Sequence, residues 1–450
     1  MKNTLYISVF MLLMLCSGVS AQSPVVAPLQ KKPVMLTGGT IHTGTGEVIT
    51  DGAVLFEKGK ITSVGKAADV KVDHSKYEIV DISGKHVYPG LIFPNTGVGL
   101  SEIGSGVDVA SDLRETGDLN PNVRAIAAYN TDSHVIPVLR SNGILLAQIV
   151  PQGSLLPGTS SVVQFDAWNW EDAAYSIDNG IQLGWPRKAM QQGRGAYAQF
   201  AAAPQASTYD KNVELLDKIF SDAVAYAAIS KPEKTNLRLE AMKGLFDGSK
   251  TLFINANEAK GIIAAVNFAK SYGVKKIVLT GADETAWAVK DFLKENNIPV
   301  ILSNPLSIPE NDYSDTRFPF KMAAMFMKEG ILTGLTYGSQ AYANLPFAAG
   351  QTVAYGLTRE QALQTITLNN AKILGIGERT GSIEAGKDAN IVVSTGDILD
   401  MAGNNVELAF ITGRSISLDN KHKQLYRRFE AKYENMKEDV KLTQPAGVDK

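Results

Sequence analysis

Apolar residues along this chain follow two different periods, and the switch between them divides it. From Val34 the period is two: Val34–Thr43, Gly52–Glu57 and Lys60–Val64 read as strands, parted by the turn signals Asp51-Gly52 and Glu57-Lys58-Gly59. The same short-strand pattern returns near the other end, at Ala389–Ser394 and Glu407–Thr412, with Gly413-Arg414 turning after it. Two β segments at opposite ends predict one small discontinuous β-sandwich, residues 34–90 and 381–418, with the intervening chain inserted as a second domain. That insert alternates apolar runs with helical spacing. Ile144–Val150, Leu252–Ala256, Lys276–Leu279 and Val300–Leu302 read as buried strands, and Glu258–Tyr272 and Glu284–Glu295 as helices. In the first helix Ile262, Val266, Ala269 and Tyr272 recur every three or four residues, and Gly273 stops it. A strand–helix unit every ~20–25 residues predicts a parallel sheet closed into a (β/α)₈ barrel over residues 91–380, so the fold class is α/β.

Residues 186–250 are long for one such unit, and their Ala, Gln and Lys content predicts helical excursions over the barrel mouth. After Leu418 a run of alternating charge (Lys421, Lys423, Arg427, Arg428, Glu430, Lys432, Glu434) predicts a solvated helical tail over 419–450. Residues 22–33, with Pro24, Pro28 and Pro33, read as a linker. Ahead of them Lys2, the apolar run Leu5–Leu15 and the small residues Val19-Ser20-Ala21 have the pattern of a secretory signal peptide, residues 1–21, cut after Ala21. The expected location is therefore periplasmic or secreted. Cleavage there removes Cys16, the sole cysteine, and with it any thiol or disulfide chemistry.

With 450 residues, 44% hydrophobic, the chain can bury a large core, and its net charge of −2 gives no reason to expect nucleic acid or an anionic membrane as partner. No internal apolar run reaches the ~20 residues that span a bilayer. Nucleophile elbows and phosphate-binding glycine loops are missing from the sequence.

The run Leu368-Asn369-Asn370-Ala371-Lys372-Ile373-Leu374-Gly375, then Gly381-Ser382-Ile383-Glu384-Ala385-Gly386-Lys387-Asp388-Ala389, and Val87-Tyr88-Pro89-Gly90-Leu91-Ile92 at the other end resemble the framing motifs of the amidohydrolase superfamily, imidazolonepropionase-like branch. The resemblance runs over roughly residues 34–418. It implies a β-sandwich joined to a distorted barrel, zinc or another divalent metal at the barrel mouth, and hydrolysis of C–N or similar bonds in amides, cyclic ureides and small peptides. It also implies where the metal ligands belong. The family's two histidines after strand 1 fall on Asn95 and Gly97, and the strand 4 position on Gln164. The strand 5 segment reads Ile254-Asn255-Ala256-Asn257, the strand 6 segment Leu279-Thr280-Gly281, and the strand 8 acid is replaced by Thr336-Tyr337-Gly338-Ser339-Gln340.

Every matched position is neutral. Hydrolysis of this kind needs imidazoles and carboxylates to hold an ion that brings bound water to a pKa near ~7. Amide and hydroxyl oxygens suit neither zinc nor its neighbours. A shift of alignment does not rescue five positions in a chain with only five histidines. His42 and His86 fall in the sandwich pattern, His74 in a polar turn, His422 in the tail, and His134 at the start of a helical segment. Glu102, Asp108, Asp112, Glu115 and Asp118 read as a solvated acidic loop, and Asp283 and Glu284 as the cap and first turn of a helix. Trp168 and Trp170 after strand 4, with Trp185, Tyr337 and Tyr342, are candidate pocket walls.

No metal or other cofactor is expected on this reading, and hydrolysis by the family route is impaired or absent. What remains is a barrel for a small polar ligand, or a non-catalytic partner in a homo-oligomer or in a complex with an active paralogue. An active hydrolase with an atypical site is the alternative.

Overall fold

The computed structural model describes residues 25–102, 111–187, 206–303, 305–307, 314–338 and 342–442. The expected signal peptide, Asp108, Ser339 and Gln340 lie outside them.

Strands β1 (Val34–His42), β2 (Val48–Glu57), β3 (Lys60–Lys66), β4 (Glu78–Asp81) and β5 (His86–Pro89) open the chain. Eight more follow: β6 (Leu91–Thr96), β7 (Ile144–Ile149), β8 (Thr159–Gln164), β9 (Ala174–Gly184), β10 (Thr251–Asn255), β11 (Ile277–Ala282), β12 (Val300–Leu302) and β13 (Thr333–Leu335). Strands β14 (Ile391–Ser394), β15 (Val406–Ile411) and β16 (Arg414–Ser415) close it. The terminal strands form one sheet in the order β16-β15-β14-β5-β1-β2-β3, with β4 also on β1. The join between the two ends is the antiparallel pair β14 and β5, in which Val393 faces Val87. Phe56 on β2 and Phe410 on β15 have three strands between them in that order, yet their rings meet at 5.0 Å, so the sheet curls around a core of its own.

The middle strands form the barrel sheet in sequence order, β6 to β13. Its strands are buried on both faces, with all six residues of β7 and of β8 out of solvent, as a covered sheet requires. The all-parallel expectation needs one correction: β8 runs antiparallel to both β7 and β9. The seam between β13 and β6 is closed by side chains. Asn370 donates its amide to Ile92 O at 2.9 Å and Leu335 O at 3.0 Å, one carbonyl from each strand, while Asn369 donates to Thr333 O. Thr336 Oγ1 donates to Pro94 O at 2.6 Å across the same seam. A Cβ on Gly334 would stand 2.0 Å from Asn370 Oδ1, so the glycine makes room for the amide. The asparagine pair of the C-terminal motif thus has a structural task.

Of residues 186–250, those at 188–205, with Ala201-Ala202-Ala203 among them, lie outside the described residues. The described part forms helices Ala206–Ala227 and Leu237–Asp247, and the first packs Phe220 on Phe268 and Tyr272 of helix Ala259–Ser271. Both lie along the barrel wall. The expected helix Glu284–Glu295 is two short ones, Glu284–Trp287 and Lys290–Glu295, broken at Ala288-Val289.

Three polar knots lock the curled sheet to the barrel. Asp388 accepts from Tyr175 Oη at 2.5 Å and pairs with Arg379 and Lys60, at 3.1 and 2.6 Å. Asp166, buried after β8, pairs with Arg140 and with Arg414 of β16. The third is a relay: His42 Nδ1 lies 2.6 Å from Glu360, and its Nε2 lies 3.0 Å from His86 Nδ1, with His42 stacked on Tyr88 at 4.5 Å. Burial, then the nearby His42, holds the His86 imidazole below its ordinary pKa. In the unfolded chain the same ring titrates near ~6.5. Below that pH the unfolded state takes up a proton that the fold resists, so stability present above it is lost as pH falls toward the folded value. The unfolding free energy is expected to drop between pH 7.5 and 5.5, less steeply in His86→Gln; an equal drop in parent and variant, read from urea titrations at the two pH values, would reject the relay as its source.

Candidate active site

In a barrel the functional face is the one onto which the carboxyl ends of the parallel strands open. Here those ends are Asn95 on β6, Asn255 on β10, the Thr280–Ala282 end of β11 and Thr336 just beyond β13. Asn95 adopts φ +52, a left-handed conformation that asparagine tolerates better than most residues. Its N–H donates to Gln148 Oε1 at 3.2 Å. That contact leads into a buried network: Gln148 and Gln182 both donate to Ser160 Oγ, which has Asn179 Oδ1 and Gly180 O within reach for its own proton. The hydroxyl has two acceptor lone pairs and one proton, so it is satisfied. Beneath the mouth, the barrel interior is thus wired with neutral amides.

The strand 5 and strand 6 positions come together. Asn255 pairs in register with Thr280, and its side-chain amide lies 3.5 Å from where a Cβ on Gly281 would be. The Asn255 carbonyl accepts from Trp185 N–H, and the Asn257 carbonyl from Thr285 Oγ1. Thr280, buried, returns its hydroxyl to Ile254 O at 3.2 Å. Asp283 caps the helix that follows by accepting from Thr285 N–H, as expected. Tyr337 and Gly338 stand half-buried at the same rim. Half-buried Tyr342 meets Phe93 edge-on at 5.8 Å, and burial, aided by the negative Glu102, pushes its phenol above the ordinary value.

Gly97 is the most informative position. A Cβ there would lie 2.4 Å from Leu113 Cδ2, so the space above this glycine is filled by a leucine from the following loop. Glu102, in the same loop, accepts from Asn130, Ser133 and His134. Asp112, Glu115 and Asp118 are exposed.

The structure separates three candidates from this group. Because β8 runs antiparallel, Gln164 at its end lies at the opposite end of the barrel, and β8 is the third barrel strand rather than the fourth. There Gln164 Nε2 donates to Asp166 O and Asp172 O, and its Oε1 accepts from Asp166 N–H and Arg414. Trp168 and Trp170, in the loop after it, go the same way. Trp168 is exposed, and Trp170 lies under the Arg124 guanidinium at 5.9 Å. Neither lines the mouth. The amide network was missed because Gln148 sits inside an otherwise apolar strand. A lone polar residue in such a run was the available signal.

Among the described residues no group of three or more His, Cys, Asp or Glu side chains is placed to hold a metal ion. The amidohydrolase family model matches residues 201–416. An amidohydrolase from Thermotoga maritima superposes with a TM-score of 0.73 at 25% identity, covering 85% of this chain and 99% of that one. The imidazolonepropionase of Alkaliphilus oremlandii is 23% identical over 77% of this chain and 84% of its own. That of a Geobacillus species is 23% identical over the same 77%, also 84% of its own length.

These matches support the amidohydrolase superfamily, imidazolonepropionase-like branch, as the family of this chain. They also support hydrolysis of C–N bonds as the parent activity of this scaffold. The divalent metal on which that chemistry runs in the family does not fit the residues present. The donors gathered at the mouth are the neutral Asn95, Asn255, Asn257 and Thr280; the Thr280 hydroxyl is already engaged, the Gly97 position is covered by Leu113, and Gln164 is at the other end.

Proposed function

We propose that this chain is a secreted amidohydrolase-family barrel that has given up the metal-dependent hydrolytic step. It serves as a non-catalytic partner of an active relative or as a receptor for a small polar ligand. The observation that carries the reading is Leu113 standing over Gly97, where the resemblance places a histidine. Neutral side chains at the remaining positions support it, because they supply no charge to offset the desolvation of a divalent ion. Export follows from the apolar leader and the Ala21 cleavage pattern.

Protein purified from its own host without chelators tests this. Elemental analysis is expected to give far less than one zinc, manganese or iron per chain, and the intact mass to match a chain beginning at Gln22. A full equivalent of metal, with turnover of dipeptides or cyclic amides, would overturn the reading. Capture of a histidine-bearing paralogue in the same preparation supports the partner role. Stabilisation by a small polar ligand, saturating as mass action requires, supports the receptor role.

A further inference from the structure

In the terminal helix Lys421–Leu442, the apolar side chains described over residues 421–434 face outward. Leu425, Tyr426, Phe429 and Tyr433 fall within about 100° of arc at 3.6 residues per turn. They are 36%, 66%, 51% and 57% exposed. Three aromatic rings left in solvent on one stripe exceed the scatter of single exposed residues that a monomer's surface carries. Lys421, Arg428 and Lys432 border one edge of the stripe within about a further 60°. On the other edge Glu430 is occupied in accepting from Tyr426 Oη at 3.0 Å. Arg427 is turned away and paired with Asp419. Over residues 421–434 five Lys and Arg stand against two Glu, although the whole chain carries −2. The average charge thus conceals a cationic, aromatic face. The helix is tied to the body at its root, where Asn420 accepts from Lys423 N–H and donates to Ser141 Oγ.

We propose that this helix docks the protein onto an anionic lipid surface. Tyrosine and phenylalanine settle at the boundary between headgroups and acyl chains, and flanking lysines and arginines reach up to the headgroup charge. A planar anionic surface satisfies Lys421, Arg428 and Lys432 together without requiring a matched set of carboxylates. The helix is too polar to cross a bilayer, so it lies on the surface.

The test is sedimentation of the full-length chain with phosphatidylcholine vesicles, with or without about a third phosphatidylglycerol. Two variants of the same chain, Phe429→Glu with Tyr433→Glu and Arg428→Glu with Lys432→Glu, are compared with it. All three share the apolar leader, so only their differences count, and circular dichroism checks that the exposed substitutions keep the helix. Binding to anionic vesicles is expected to exceed binding to neutral ones by at least about tenfold, to fall in ~0.5 M salt, and to be lost in both variants. Equal sedimentation of parent and variants overturns the proposal. So does a concentration-dependent dimer that the aromatic variant dissolves without any vesicle binding, which would assign the stripe to a second copy of the chain.

Discussion

Asp166→Ala is expected to lower the unfolding free energy by about 3–5 kcal/mol, the cost of leaving a buried ion pair with only one side. Asp166 is 2% exposed and lies between two guanidiniums, Arg140 Nη1 at 3.4 Å and Arg414 Nη1 at 3.2 Å. Arg140 is itself 4% exposed; burial pushes its pKa down, and the Asp166 charge opposes that shift. Without the carboxylate, two cations share a dry site. The N–H of Ala27 also loses its acceptors, 3.2 and 3.3 Å away. One aspartate therefore joins the helix before β7, the edge strand β16 of the sheet domain and the segment leading into β1. Asp166→Asn keeps an acceptor for Ala27 but no charge, and should fall between parent and alanine variant. Urea midpoints read the difference, and limited proteolysis reads release of residues 25–33 separately. A loss under 1 kcal/mol in the alanine variant would mean that Arg140 and Arg414 find water once the carboxylate is gone.

Much of this fold is legible because its cause is local. The period-two runs from Val34 and from Ala389 reach the sheet, and Val300–Leu302 is a strand with the bounds its composition suggests. Gly273, at φ +76, ends its helix as the pattern implies. The antiparallel β8 was legible too, through a different quantity. Nine residues separate Ile149 from Thr159 and nine separate Gln164 from Ala174, whereas a parallel crossover needs about a dozen or more. Loop length, not periodicity, carried that signal, and with it the true place of Gln164, Trp168 and Trp170.

The site divides along the same line. Neutrality at Asn95, Gly97, Asn255, Asn257 and Thr280 can be read from residue types alone. That Leu113 fills the space over Gly97 cannot, because the contact joins a strand end to a residue 16 positions later in an irregular loop. The Gln148–Ser160–Gln182 network is hidden for a similar reason. Gln148 is one polar residue in a buried apolar strand, Ser160 and Gln182 lie in strands of mixed polarity, and only the pairing of β7, β8 and β9 brings them into contact.

Restoring imidazoles at the mouth should recreate a metal site, and the gain is the largest effect expected of any change to this chain. Asn95→His and Gly97→His lie two residues apart where β6 ends, and Asn255→His and Asn257→His two apart where β10 ends, so the four restore the two-residue interval that the family resemblance implies at both strand ends. Histidine is among the residues that tolerate the left-handed φ of +52 at position 95. Position 97 needs Leu113→Ala as well, since its Cβ would otherwise meet Leu113 Cδ2 at 2.4 Å. With all five substitutions zinc affinity is expected to rise by at least about a thousandfold over the parent, some 4 kcal/mol, read by isothermal titration at neutral pH. With Leu113 intact the gain should be smaller, because the leucine must be displaced first. A parent that already binds zinc as tightly would contradict the loss of the centre. A folded quintuple variant with no gain would show that these four positions do not converge on one point, and with that the residue correspondence behind the whole site would fail.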